Sequence, residues 1–150
     1  MLVSAIQQNP ISFKADIKHL FDKGLIPEVE KGFYGTPLTK KNVSREHLLP
    51  HCKGGTRAEA NIVLADKFLN SARGAKPIGR VADPTTAVEY LEQFKGIEIP
   101  EHKFSGNNYI KKVTRTLKRL GMDITEQVKA MMSDAPETIK ETAKHIDFKA

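Results

Sequence analysis

The sequence predicts an α+β fold in which a short β-containing centre is flanked by helices. Apolar residues recur at helical spacing on both sides of that centre: Phe13, Ile17, Leu20 and Phe21 before it, and Ala87, Val88, Leu91 and Phe94 after it. Between them, two short runs at 43–49 and 61–64 have strand character and enclose an eleven-residue segment holding Gly54-Gly55, the pair a chain reversal wants. A chain of 150 residues can bury one core of ordinary size, so residues 1–150 are read as a single domain.

Each element has its own signal. Ser12 can cap a helix over 12–23, with Gly24 as its stop. Pro27, Gly32, Gly35 and Pro37 break the stretch from 26 to 41 into irregular connection. After the hairpin, residues 65–73 lack Gly, Pro and β-branched side chains and suit a helix, closed by Gly74 and Pro77. Asp83-Pro84 starts another helix, which Gly96 ends. Asn107 or Asn108 caps a further one to Leu120, and two short amphipathic helices at 125–132 and 136–145 complete a helical flank over 83–146.

Charge and composition narrow the function classes. The formal charge is +6, from 24 Lys plus Arg against 18 Asp plus Glu. Residues 40–80 hold nine cations (Lys40, Lys41, Arg45, Lys53, Arg57, Lys67, Arg73, Lys76, Arg80) and three anions (Glu46, Glu59, Asp66), so the whole excess lies there. A basic surplus confined to one segment suits a polyanion-binding face, because each neutralised phosphate releases condensed counterions; a solvated basic loop is the plain alternative. No window approaches the roughly 18 to 20 apolar residues of a membrane span, and the first ten residues lack both a basic start and a long apolar centre. The single Cys52 can form no internal disulfide and supplies no paired thiolates for a structural zinc site. These features lead us to expect an unexported protein of the reducing cytoplasm.

The chemistry-bearing residues follow one another in order: Arg45-Glu46-His47-Leu48-Leu49-Pro50, Gly54-Gly55, Asn61-Ile62-Val63-Leu64, then Asn70-Ser71-Ala72-Arg73-Gly74. This segment resembles the ββα-metal (His-Me finger) core of HNH endonucleases, with an acid-His pair on the first strand, an Asn starting the second and an Asn on the helix. The separations, 14 residues from His47 to Asn61 and 9 from Asn61 to Asn70, are similar to those of the HNH domain of RNA-guided CRISPR nucleases. The likeness covers about 30 of 150 residues, placing the core at about 42–76, and small free-standing proteins of this type occur in phage and mobile elements.

The resemblance implies a metal-dependent DNA endonuclease. His47 would be the general base, since an imidazole with a pKa near 6.5 accepts a proton at neutral pH. Asn61 would orient its ring, while Glu46 and Asn70 would bind one hard cation, Mg²⁺ or Mn²⁺, through oxygen. Glu46 stands where Asp is more usual, and its extra methylene moves the carboxylate by about 1.5 Å. Adjacent strand residues point to opposite faces, so Glu46 and His47 converge only if the strand bends, as the family implies.

Arg73 and Lys76, close after Asn70, are the expected phosphate clamps, with Arg45 next. Lys111, Lys112 and Arg115 lie on an amphipathic helix whose cations face outward, either as a second DNA contact or as a solvated face. His51 lines the substrate groove or is simply exposed, the second being the plainer reading. Zinc held by His47, His51 and Cys52 lacks an adequate fourth ligand. Two other functions stay open: a catalytically silent HNH-fold DNA-binding or regulatory protein, and a nuclease acting on RNA. A lone active site implies that cutting both DNA strands would take a homodimer or two successive nicks.

Overall fold

Asp16 opens the first helix in the computed structural model, which describes residues 16–133. Helix α1 spans Ile17–Asp22, and the Asp16 carboxylate accepts the Lys18 N–H at 3.2 Å, satisfying a donor that the first turn leaves without a helical partner. The expected cap, Ser12, lies outside the described residues, as does the expected helix at 136–145. Ile17 and Leu20 are buried.

The centre is an antiparallel pair, β1 (Val43–His47) and β2 (Ile62–Asp66), with Val43 opposite Asp66 and His47 opposite Ile62. Helix α2 (Lys67–Arg73) follows directly and packs across both strands. Strand, loop, strand, helix is the predicted order, but three boundaries move, the first being that Asn61 ends the 59–61 turn and β2 starts at Ile62. Asp66 caps α2, its Oδ1 accepting the Phe68 and Leu69 N–H groups at 2.8 and 3.2 Å, so β2 extends to 66 and the helix starts at 67 instead of 65. Leu48 and Leu49 leave β1 because Asn61 takes their N–H groups, through its backbone carbonyl and its side-chain oxygen, each at 2.8 Å.

Strand β2 is apolar over 62–65 and buried on both faces, which leaves the polar groups of its outer edge to be satisfied by something other than a third strand. Two tyrosines and a loop do this. The Tyr109 hydroxyl donates to the Ile62 carbonyl at 2.7 Å, Tyr90 Oη accepts the Leu64 N–H at 2.9 Å, and the two hydroxyls lie 2.9 Å apart. With the Tyr109 proton committed to Ile62, Tyr90 is the donor between them. The Phe33 N–H then takes the Leu64 carbonyl at 2.8 Å. Burial raises both phenol pKa values, so both stay protonated as donors. Replacing Tyr109 with Phe is expected to cost about 1–3 kcal/mol, the penalty for leaving a buried carbonyl without its donor, read as a lower urea midpoint at unchanged slope.

The remaining elements wall in this edge. Helix α3 (Ile78–Val81) leads to α4 (Pro84–Glu92), capped by Asp83 as predicted, with the Thr86 N–H on its carboxylate at 2.9 Å. A hairpin of two-residue strands, β3 (Glu98–Ile99) and β4 (Phe104–Ser105), precedes α5 (Gly106–Arg119), and α6 (Thr125–Met132) closes the described chain. Neither α3 nor the hairpin is long enough for periodicity to announce it. The cap of α5 is Ser105, whose hydroxyl accepts the Asn108 N–H at 3.3 Å, in place of the expected Asn107 or Asn108. Phe33, Tyr90, Phe94 and Phe104 meet edge to face in the core, and Tyr109 lies tilted against Phe94 and Phe104. Among the described residues no helix is long and apolar enough to cross a membrane.

Candidate functional site at the end of strand β1

Alternation along β1 separates the acid from the histidine. Ser44 and Glu46 face α2, where Ser44 Oγ accepts from the Asn70 amide at 3.0 Å and Glu46 meets Arg73. Arg45 turns the other way, to Asp16, and His47 opens into a cavity lined by His51, Gly55, Thr56 and Arg57.

On the α2 side the two predicted metal ligands differ: both Glu46 oxygens are engaged, whereas Asn70 is tied down through its amide nitrogen. Glu46 is 3% exposed; its Oε2 accepts the Tyr34 hydroxyl at 2.7 Å and its Oε1 lies 3.2 Å from an Arg73 guanidinium nitrogen. Burial pushes the Glu46 carboxyl above its usual value of 4.5, while Tyr34, Arg73 and the His47 backbone pull it back. The Tyr34 phenol is raised too, first by burial and then by Glu46, which keeps it a donor. Asn70 is half-buried and gives its amide nitrogen to Ser44 Oγ and, at 2.9 Å, to the Arg45 carbonyl, so it latches α2 onto β1.

Arg73 is the second latch. It is 3% exposed, and besides Glu46 its guanidinium donates to the backbone carbonyls of His47 at 2.5 Å, Leu48 at 2.8 Å and Lys76 at 2.7 Å. Arg73, expected as a phosphate clamp, is instead placed inward, with four of its five N–H donors directed at three carbonyls and one carboxylate. A divalent cation bound through Glu46 does not fit this arrangement either. It would have to displace a guanidinium fixed at four points.

Asn61 also has a different partner from the one expected. Its Oδ1 accepts the Leu49 N–H at 2.8 Å, and its amide donates to the carbonyls of Leu49 at 3.1 Å and Thr56 at 2.8 Å. These bonds close the 49–56 loop across its neck and make no use of the His47 ring. The loop is tight there: a Cβ on Gly55 would sit 1.7 Å from the Leu49 carbonyl oxygen, so only glycine permits the approach, and Gly54 turns the chain with φ +94°. Asn61 thus holds the loop that carries His51, Thr56 and Arg57 against the His47 strand.

The His47 ring is half-buried, and its pKa is lowered from 6.5, first by burial and then by the positive charges of His51, Arg57, Arg45 and Arg73. The neutral, proton-accepting form is the one the site favours. Of the expected phosphate contacts, Arg45 is bound by Asp16, its Nε 2.6 Å from the carboxylate, whereas Lys76 is exposed. On α5, Lys111 and Arg115 are exposed and share a face with Lys118 at helical spacing, while Lys112 turns to within 3.7 Å of the Glu59 carboxylate. That helix packs on the 59–61 turn that carries Asn61.

His51 was read as groove-lining or simply exposed, and Arg57 only as a member of the basic segment; what brings the two together is the closed loop. Tyr34, the hydroxyl partner of Glu46, comes from the stretch read as mere connection. No family model, no curated protein and no solved structure matches the chain.

Proposed function

We propose that the chain is a nucleic-acid endonuclease of the HNH type, acting on DNA, in which residues 42–76 form the ββα core and His47 is the general base. One observation carries this reading: His47 ends a strand on an open, basic cavity, with an environment that keeps its ring neutral at physiological pH. A neutral imidazole there can take the proton of an attacking water as the oxygen bonds to phosphorus and the bond to the leaving ribose oxygen breaks. The exposed cations Lys76, Lys111 and Arg115 would carry flanking phosphates.

Supercoiled plasmid tests it directly. The expected outcome is nicked product before linear product, since each chain brings one His47; supercoiled DNA that persists with Mg²⁺, with Mn²⁺ and with chelator ends the enzymatic reading. Single-stranded RNA as a parallel substrate decides between sugar types. A second reading, a silent DNA-binding module, is favoured by the closure of Glu46 on Tyr34 and Arg73. It predicts retarded but uncut DNA in the same reactions.

The histidine shift sets a pH dependence. His47 must be deprotonated to act, and its folded pKa lies below 6.5, so the acid limb of the cleavage profile is expected below pH 6.5. The same sign holds for stability: the unfolded chain binds this proton more readily, so His47 subtracts stability as pH falls below 6.5. A cleavage profile whose acid limb lies above 6.5 would assign the base to another group.

A further inference from the structure

We propose that the cavity beside His47 is a phosphate site in which the Arg57 guanidinium, and not a divalent cation at Glu46, supplies the positive charge that holds a phosphodiester, with His51 as a hydrogen-bond donor beside it. The proposal rests on the nuclease reading for its choice of ligand, but its geometry stands apart from it. The cavity, about 550 Å³, is lined by His47, His51, Gly55, Thr56 and Arg57, so no acidic side chain opposes an anion there.

The other nearby cations are spent. Arg45 is held by Asp16, and Arg73 is buried on Glu46 and three carbonyls. Arg57 and His51 remain, both exposed, and no described acid pairs with either. Thr56 Oγ1 accepts the Ala58 N–H at 3.2 Å, which leaves its own proton to donate outward. A guanidinium fork, an imidazole N–H and a hydroxyl around one opening match the oxygens of a tetrahedral phosphate.

Rigidity argues for a built site. The loop is closed by the Asn61 amide on Leu49 and Thr56, by the Gly55 N–H on the Pro50 carbonyl at 2.9 Å, and by a backbone approach that excludes any Cβ at Gly55. On the opposite face of β1, Arg73 occupies the carboxylate that a metal would need. Arg57 is thus the guanidinium left without an acidic partner at this end of the strand.

The test follows the His47 and His51 ring resonances of the full chain by NMR during titration with inorganic phosphate and, separately, with a short thymidine oligonucleotide, each in chelator and in Mg²⁺. Saturable shifts in chelator with the oligonucleotide are expected, weakened at least about tenfold by Arg57→Ala, the loss for one charge-assisted hydrogen bond, and partly restored by Arg57→Lys. Shifts with inorganic phosphate alone, shifts that require Mg²⁺, or an affinity indifferent to Arg57→Ala would overturn the proposal. Its failure is separable from that of the nuclease reading. Bound oligonucleotide that is never cut removes the enzyme and keeps the phosphate site; cleavage that requires Mg²⁺ and ignores Arg57→Ala does the reverse.

Discussion

Replacing His47 with alanine is expected to slow strand cleavage by about 10²- to 10⁴-fold, the range for removing a general base. The fold should survive. His47 is half-buried at the end of β1, its backbone carbonyl is what Arg73 holds, and that carbonyl is unchanged in the variant. DNA affinity should fall little, because the loss falls on the transition state and the exposed cations proposed to carry flanking phosphates, such as Lys76, Lys111 and Arg115, are unchanged. Single-turnover cleavage, gel retardation and circular dichroism on the same preparation separate the three effects. A variant that cuts at the wild-type rate would mean that the activity lies elsewhere on the chain or in a contaminant.

The second large effect is structural. Arg73→Ala is expected to cost about 3–5 kcal/mol, because it strands the Glu46 carboxylate in a buried site without its cation. It also removes the donor shared by the carbonyls of His47, Leu48 and Lys76, so the end of β1 loses its tie to α2 just where His47 is mounted. Glu46→Gln should cost less, since an amide oxygen can still accept from Tyr34. The double change Arg73→Met with Glu46→Leu should recover part of the Arg73→Ala loss by removing the orphaned charge, though three carbonyls stay without their donor. Urea denaturation of wild type and the three variants ranks these stabilities. A stability change under about 1 kcal/mol in Arg73→Ala would show that the guanidinium is not the keystone its contacts describe.

What sequence pattern reaches is set by how local the interaction is. The caps and turns that involve neighbours were readable: Asp83 before Pro84 and glycine in the loop between the strands. Caps that compete were less so. Ser105 caps α5 in place of Asn107 or Asn108 because its hydroxyl meets the Asn108 N–H, and Asp66, read as part of a helix, caps it instead by accepting the Phe68 and Leu69 N–H groups.

The sequence alone determined the α+β class, the order strand, loop, strand, helix, and the concentration of charge between residues 40 and 80, since these follow from periodicity, glycine placement and residue counts. The tertiary structure alone decided that Arg73 is buried, that Glu46 faces Tyr34 and Arg73 instead of the solvent, that Asn61 holds a loop instead of a ring, and that Tyr90 and Tyr109 finish the edge of β2. Each of those side chains serves a partner 5 to 47 positions away. A polar group shows what it can bond to in the sequence, but which bond it makes depends on which face it is folded against.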